Sequence, residues 1–266
     1  MDAIYSNFDI RDYKIKTVTN IPETYIIDPQ PEIKNQGLKS TCVPHALSSI
    51  FEFHYSKQHT NKVRFSTEFL YGYRLDSYYQ KEGMRLRDAL NTALTVGDVP
   101  EDVCPGNNSL SKAKKNVTSN IDSLVQAASK HKISAYFRCR SNDEIKSAII
   151  TTGPVITIMS LYKGATLSQD IYKWDKSSSI TGQHCILIIG WNKDGWIIQN
   201  SWGRLYGGDG RFILPYAFPL GEKWGTIDDY VEEIIVTKPR INSKIAILIN
   251  ATINFLLKIF KKKLYM

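Results

Sequence analysis

Cys42 follows the turn-forming run Asn35-Gln36-Gly37 and opens an apolar-periodic stretch, so it stands where a loop enters a helix. The free N–H groups and partial positive charge of a helix N-terminus favour a thiolate over a thiol. Gln36, six residues upstream, carries a side-chain amide that can donate to an oxyanion alongside the Cys42 N–H. His184 lies 142 residues after Cys42, inside the roughly 130–150-residue gap seen in one class of Cys–His enzymes. Asn200 comes 16 residues later, where its side chain can fix the tautomer and orientation of an imidazole. Singly, each has a commoner structural role: a small buried cysteine, a solvated loop amide, a strand-edge histidine, a turn amide. Together the pattern Q-G-x4-C…H…N-S-W-G supplies a nucleophile, a base, an orienting group and an oxyanion donor.

The elements that must hold these groups follow from periodicity. Residues 1–30 look extended, and PEIKNQGLKS reads as a loop. From Thr41 to about Tyr55, Val43, Leu47, Ile50, Phe51 and His54 fall at helical spacing, with Pro44 tolerable only in the first turn. A second helix is expected over Ser66–Tyr79 with Ser66 as N-cap, and a third over Leu86–Leu94, stopping at Gly97. Residues 97–120, with Pro100, Pro105 and Gly106, read as loop. Beyond Lys132 the pattern changes: a strand at Ile133–Cys139, a short helix at Asn142–Thr151, and a β-branched strand at Pro154–Ser160. HCILIIGW and GWIIQNSW flank an Asn-Lys-Asp-Gly turn, a strong hairpin signal. Gly210–Leu214 and Tyr230–Val236 complete the expected strands. A helical front half and an antiparallel β back half predict an α+β fold of two lobes with a cleft between them.

Of the net charge of +8, seven positive charges fall in residues 238–266, which contain no acid, leaving +1 for residues 1–237. A near-neutral body argues against nucleic-acid binding. Within that tail, Asn250, Asn254, Lys258 and Lys261 share one helical stripe of an otherwise apolar segment, followed by Lys262 and Lys263. Residues 244–263 are therefore expected to contact a membrane surface as an interfacial helix; a helix docked on the body or on a partner, and a marginal anchor, are the alternatives. The 16 apolar-rich residues 245–260 fall short of the ~20 a span requires. Cys42, Cys104, Cys139 and Cys185 form neither a disulfide framework nor a zinc pattern, and the first residues lack a basic-then-apolar leader. A cytoplasmic protein with reduced thiols, peripheral to a membrane, is the expectation.

The motifs KNQGLKSTC, GMRLRDAL, GQHCILIIGWNKDGWIIQNSWG and YGGDGRFILPYAF resemble those of papain-like cysteine peptidases over roughly residues 8–236. The layout is most similar to the short bacterial branch that lacks a long pro-domain. The resemblance implies a two-lobed fold with a helical N-terminal lobe and an antiparallel, β-barrel-like C-terminal lobe. It implies Cys42 as nucleophile, His184 as general base and later acid, Asn200 orienting His184, and Gln36 in the oxyanion hole. It further implies that Gly83 and Gln183 line the substrate cleft, that Trp202 covers the His184–Asn200 contact, and that neither metal nor cofactor is needed. The chain departs from the usual C-G-S-C-W: it has Lys39-Ser40-Thr41-Cys42-Val43, and His45 is an unusual neighbour of the nucleophile. The expected domain is 1–237, with part of Met1–Lys16 lying across the cleft or packed as a plain strand. A catalytically silent binding module and a peptide ligase using the same thioester remain open. Gln36 and the NSWG run argue against a transglutaminase or a peptidoglycan amidase.

Overall fold

The computed structural model describes residues 3–4, 15–74, 82–106 and 109–228. Two short N-terminal strands, β1 (Ala3–Ile4) and β2 (Tyr25–Ile26), precede the helical part. Helix α1 (Cys42–Gln58) follows; from Cys42 to His54 all of its residues except His45 are buried. An α-helix apolar around most of its circumference belongs inside a core, and α1 packs against the central strand of the sheet. Pro44 falls in the first turn, where its missing N–H has no intrahelical acceptor to lose.

Helix α2 (Thr67–Gly72) is capped as expected: Ser66 Oγ accepts from the Phe69 N–H at 3.0 Å. The remainder of the expected helix to Tyr79 falls partly outside the described residues. Strand β3 (Met84–Arg85) leads into α3 (Leu86–Thr95), which stops before Gly97 at φ 100°. The stretch 97–120, expected to be rich in loop, holds α4 (Leu110–Ser119) across most of its second half, followed by α5 (Ile121–Ala128). The segment LSKAKKNVTS is polar enough to pass for loop, because α4 buries only Ala113 and Val117, one turn apart. These meet α2 at Gly72, where a Cβ would stand 2.5 Å from Val117 Cγ2.

The β half contains β4 (Ala135–Arg138), then α6 (Asn142–Thr151), capped by Ser141 accepting from the Glu144 N–H. Strands β5 (Val155–Tyr162), β6 (Thr166–Ser168), β7 (Ile171–Lys173), β8 (Ile180–Asn192), β9 (Gly195–Gln199), β10 (Arg211–Leu214) and β11 (Lys223–Ile227) follow. They form a sheet ordered β4-β11-β5-β8-β9-β10-β7-β6, with β2 alongside β8. The β8–β9 hairpin turns as expected, Asn192 Oδ1 accepting from the Asp194 and Gly195 N–H groups at 2.9 and 3.1 Å. Two expectations need correction. The lobe is not a closed barrel: β4 and β6 are open edges among the described residues. Nor is it purely antiparallel, since β10 pairs β7 in parallel at Ile213↔Ile171. Strands β6, β7 and β11 were not anticipated, and the strand expected at Tyr230–Val236 lies outside the described residues, as does the tail 238–266.

Candidate active site

Cys42 is the first residue of α1, so its backbone N–H lacks an intrahelical acceptor. Its thiol sits among the backbone N–H groups of Cys42, Val43 and Cys185. Those dipoles lower the thiol pKa, as the helix N-terminus led one to expect, but burial is the larger effect and the net shift is upward. All four cysteines are free and buried, Cys42 at 1% exposure.

His184 lies on β8, four residues inside the strand rather than at its start, paired with Met159 on β5. Its Nε2 is 2.7 Å from Asn200 Oδ1, just beyond the end of β9. An amide oxygen only accepts, so the proton sits on Nε2 and the other nitrogen, Nδ1, is left with a lone pair. Nδ1 is buried and has no hydrogen-bond partner among the described residues. Burial pulls the His184 pKa down to about 4, against the Asn200 hydrogen bond that raises it. At rest the Cys42 thiol and the His184 imidazole are therefore both neutral.

Trp202 stacks on His184, ring centroids 4.4 Å apart and planes 22° apart, and Tyr206 meets Trp202 edge-on at 4.7 Å. Trp202 thus covers the imidazole from one side. Gln36 is buried; its Nε2 donates to the Lys39 carbonyl at 2.8 Å, which commits one of its two N–H bonds. Its Oε1 accepts from Ser201 Oγ at 2.6 Å, so the amide orientation is set by Ser201, which sequence reasoning did not single out. Ser201 sits inside the NSWG run, but its partner is 165 residues away and no local pattern announces the contact. The loop carrying Gln36 is stitched to the same run: the Gln36 N–H donates to the Ser201 carbonyl at 2.8 Å and Gly203 N–H to the Lys34 carbonyl at 3.0 Å. Beneath the loop, Lys34 Nζ is buried 2.6 Å from Glu52 Oε1 and 2.7 Å from Ser48 Oγ, both on α1.

The remaining expected residues are Gln183 and Gly83. Gln183 is half-buried on β8, opposite Ser160. Gly83, at φ 109°, directly precedes β3, and both its polar groups are engaged: its carbonyl accepts from Arg74 at 2.8 Å and its N–H faces Tyr71 Oη at 3.4 Å. β3 itself is taken by β1, in parallel, Ala3↔Met84 and Ile4↔Arg85. β1 also lies close to β8, the strand that bears His184. Ala3 is buried, and His184 is fully buried. Among the described residues no cluster of His, Cys, Asp or Glu is arranged to hold a metal ion.

Comparison with known proteins agrees with this geometry. Residues 27–216 match the model of the papain family cysteine protease. Xylellain, a cysteine protease from Xylella fastidiosa, superimposes with a TM-score of 0.73 over 85% of this chain and 95% of that one, at 21% identity, a likeness of fold. The viral cathepsin of Adoxophyes honmai nucleopolyhedrovirus is 24% identical over 186 residues, 68% of this chain and 52% of that protein. Human cathepsin O is 35% identical over 108 residues, 39% of this chain and 32% of that protein. The chain thus spans about half the length of the viral relative and about a third of the human one. With a family match over most of its length and a lobed fold that agrees, the chain belongs to the papain family of cysteine proteases.

Proposed function

We propose that this protein hydrolyses peptide bonds through a thioester on Cys42. The observation that carries the reading is the His184 Nε2–Asn200 Oδ1 contact at 2.7 Å, which leaves Nδ1 as the proton acceptor on the ring. Proton transfer from the Cys42 thiol to Nδ1 gives a thiolate–imidazolium pair. The sulfur attacks the peptide carbonyl carbon, and the oxyanion takes hydrogen bonds from the Cys42 N–H and the free Gln36 Nε2–H. Collapse expels the amine, which takes the proton from His184. Water, deprotonated by His184, then hydrolyses the thioester and releases the acid. No step calls on a metal or an organic cofactor. An irreversible thiol-directed epoxide tests the reading: one adduct mapped to Cys42, with loss of peptide cleavage, supports it. A folded protein that neither reacts at Cys42 nor cleaves peptide contradicts it and favours the silent binding module.

The N-terminal segment is proposed to restrict this cleft. β1 occupies the edge of β3 next to Gly83, where an extended substrate would otherwise pair, and Cys42 and His184 are both buried.

A further inference from the structure

Between α1 and the β8–β9 hairpin, behind the reacting groups, lies a cavity of about 10 Å³ whose lining includes His45, Gln199 and Asn200. That is about the space one water molecule requires. Two polar atoms of these residues, Asn200 Nδ2 and Gln199 Oε1, are buried with no partner among the described residues, and His45 lines the same cavity. Asn200 uses Oδ1 twice, for His184 Nε2 at 2.7 Å and for the Ser201 N–H at 2.8 Å, while its Nδ2 is buried and unpaired. Gln199 donates from Nε2 to the Glu32 carbonyl at 3.2 Å, and its Oε1 is buried without a donor. His45 Nδ1 is 2.7 Å from the Thr41 carbonyl oxygen. A carbonyl only accepts, so Nδ1 carries the proton and Nε2 is the ring's acceptor. Although the residue keeps some exposure, desolvation of the ring holds its pKa near 3, so the same neutral tautomer persists at neutral pH.

The set is complementary to one water: an N–H donor from Asn200 and acceptors on Gln199 and His45 account for about three hydrogen bonds, the usual number for a buried water. We propose that a single water fills this cavity and that His45, through it, is a positioning residue for the Asn200–His184 pair. Tethered at Nδ2, the Asn200 amide is held with its oxygen toward His184. Untethered, it is held only at its oxygen, by the Ser201 N–H and His184, and turns more readily to present N–H to N–H. The proposal rests on Asn200 orienting His184.

The test compares His45→Phe, similar in bulk but without an acceptor, with His45→Gln, which offers an amide oxygen. Steady-state cleavage of a fluorogenic peptide is measured across pH. His45→Phe is expected to lower kcat about three- to tenfold with KM within about twofold, the size of one lost buried hydrogen bond. The acid limb of kcat/KM should also move to lower pH, because a loosely held Asn200 stabilises the His184 imidazolium less. His45→Gln should recover most of both. Equal losses in the two variants with an unmoved limb, or a His45→Phe protein indistinguishable from the parent, would overturn the proposal. A high-resolution crystal structure of the full chain decides independently of activity and of how the variants fold. Density for one water within hydrogen-bond reach of Asn200 Nδ2, Gln199 Oε1 and His45 Nε2 is expected; a dry cavity, or Asn200 turned onto a protein acceptor, overturns it. If the parent protein cleaves nothing, the catalytic reading fails while the crystal still decides the water.

Discussion

Asn200 Oδ1 serves two donors at once, His184 Nε2 and the Ser201 N–H, and Ser201 Oγ in turn holds the amide of Gln36. The His184 ring and the Gln36 amide, proposed as base and oxyanion donor, are therefore set by adjacent residues of one run. Replacing Gln36 with Ala removes a donor that strengthens only as the oxyanion forms, so kcat should fall about 10²–10³-fold with little change in KM. Ser201→Ala leaves the donor present but its oxygen unheld; a loss of about fivefold in kcat is expected, the size of one hydrogen bond of ~1 kcal/mol. Equal losses in the two variants would mean that Ser201 does more than orient Gln36. The placing of Cys42 at a helix start and of His184 against Asn200 was legible because loop, helix start and hairpin are written locally. Ser201 was not, because its partner across the fold has no local signature. The expected lowering of the Cys42 pKa failed for a related reason: the helix N-terminus is visible in the chain, but the burial that outweighs it depends on what covers the thiol.

Among the elements, α1 and the β8–β9 hairpin were readable because their signals are strong: an apolar helix opened by Pro44 in its first turn, and an Asn-Lys-Asp-Gly turn between two apolar runs. Helix α4 was hidden because only Ala113 and Val117 of its ten residues are buried, too few to stand out as a stripe. Sheet closure was over-read, because alternation along a strand says which face is buried and nothing about whether the edges meet. The Lys34–Glu52 pair ties the loop that carries Gln36 to α1, both side chains about 95% buried. Lys34→Met leaves Glu52 buried and unpaired, and should cost ~3–5 kcal/mol in urea unfolding. Adding Glu52→Leu should restore much of that loss. A Lys34→Met protein as stable as the parent would show that the pair does not hold the loop.

At the scale of the molecule, burial sets the pH response. His45 and His54 are held down to about 3 and His184 to about 4, from an ordinary 6.5. Groups that stay neutral in the folded chain but take up protons when it unfolds lend stability that is complete above pH 6.5 and is lost as pH falls toward 4 and 3. Each contributes ~1.4 kcal/mol per pH unit across that window, so the unfolding midpoint in urea should drop steadily below pH 6.5; a midpoint flat from pH 6.5 to 4.5 would contradict the burial. The same covered interior motivates a truncation. Removing residues 1–14, which spares the buried Ile15, should raise kcat/KM, by about tenfold if the β1–β3 contact is worth ~1.4 kcal/mol. Unchanged kinetics would reduce β1 to a packing strand. The basic tail is proposed to bind anionic membrane surfaces: flotation with phosphatidylserine vesicles should retain the full chain and lose a chain ending at Thr237, and equal behaviour removes the idea.

The central claim is that Cys42 attacks peptide carbonyls. It is tested most directly by incubating the chain lacking residues 1–14, with and without Cys42→Ala, with a peptide library under reducing conditions and reading the products by mass. The account predicts internal cleavage that requires reductant and vanishes in the Cys42→Ala protein. Cleavage at an equal rate by both proteins, or by neither when both are folded, would contradict it.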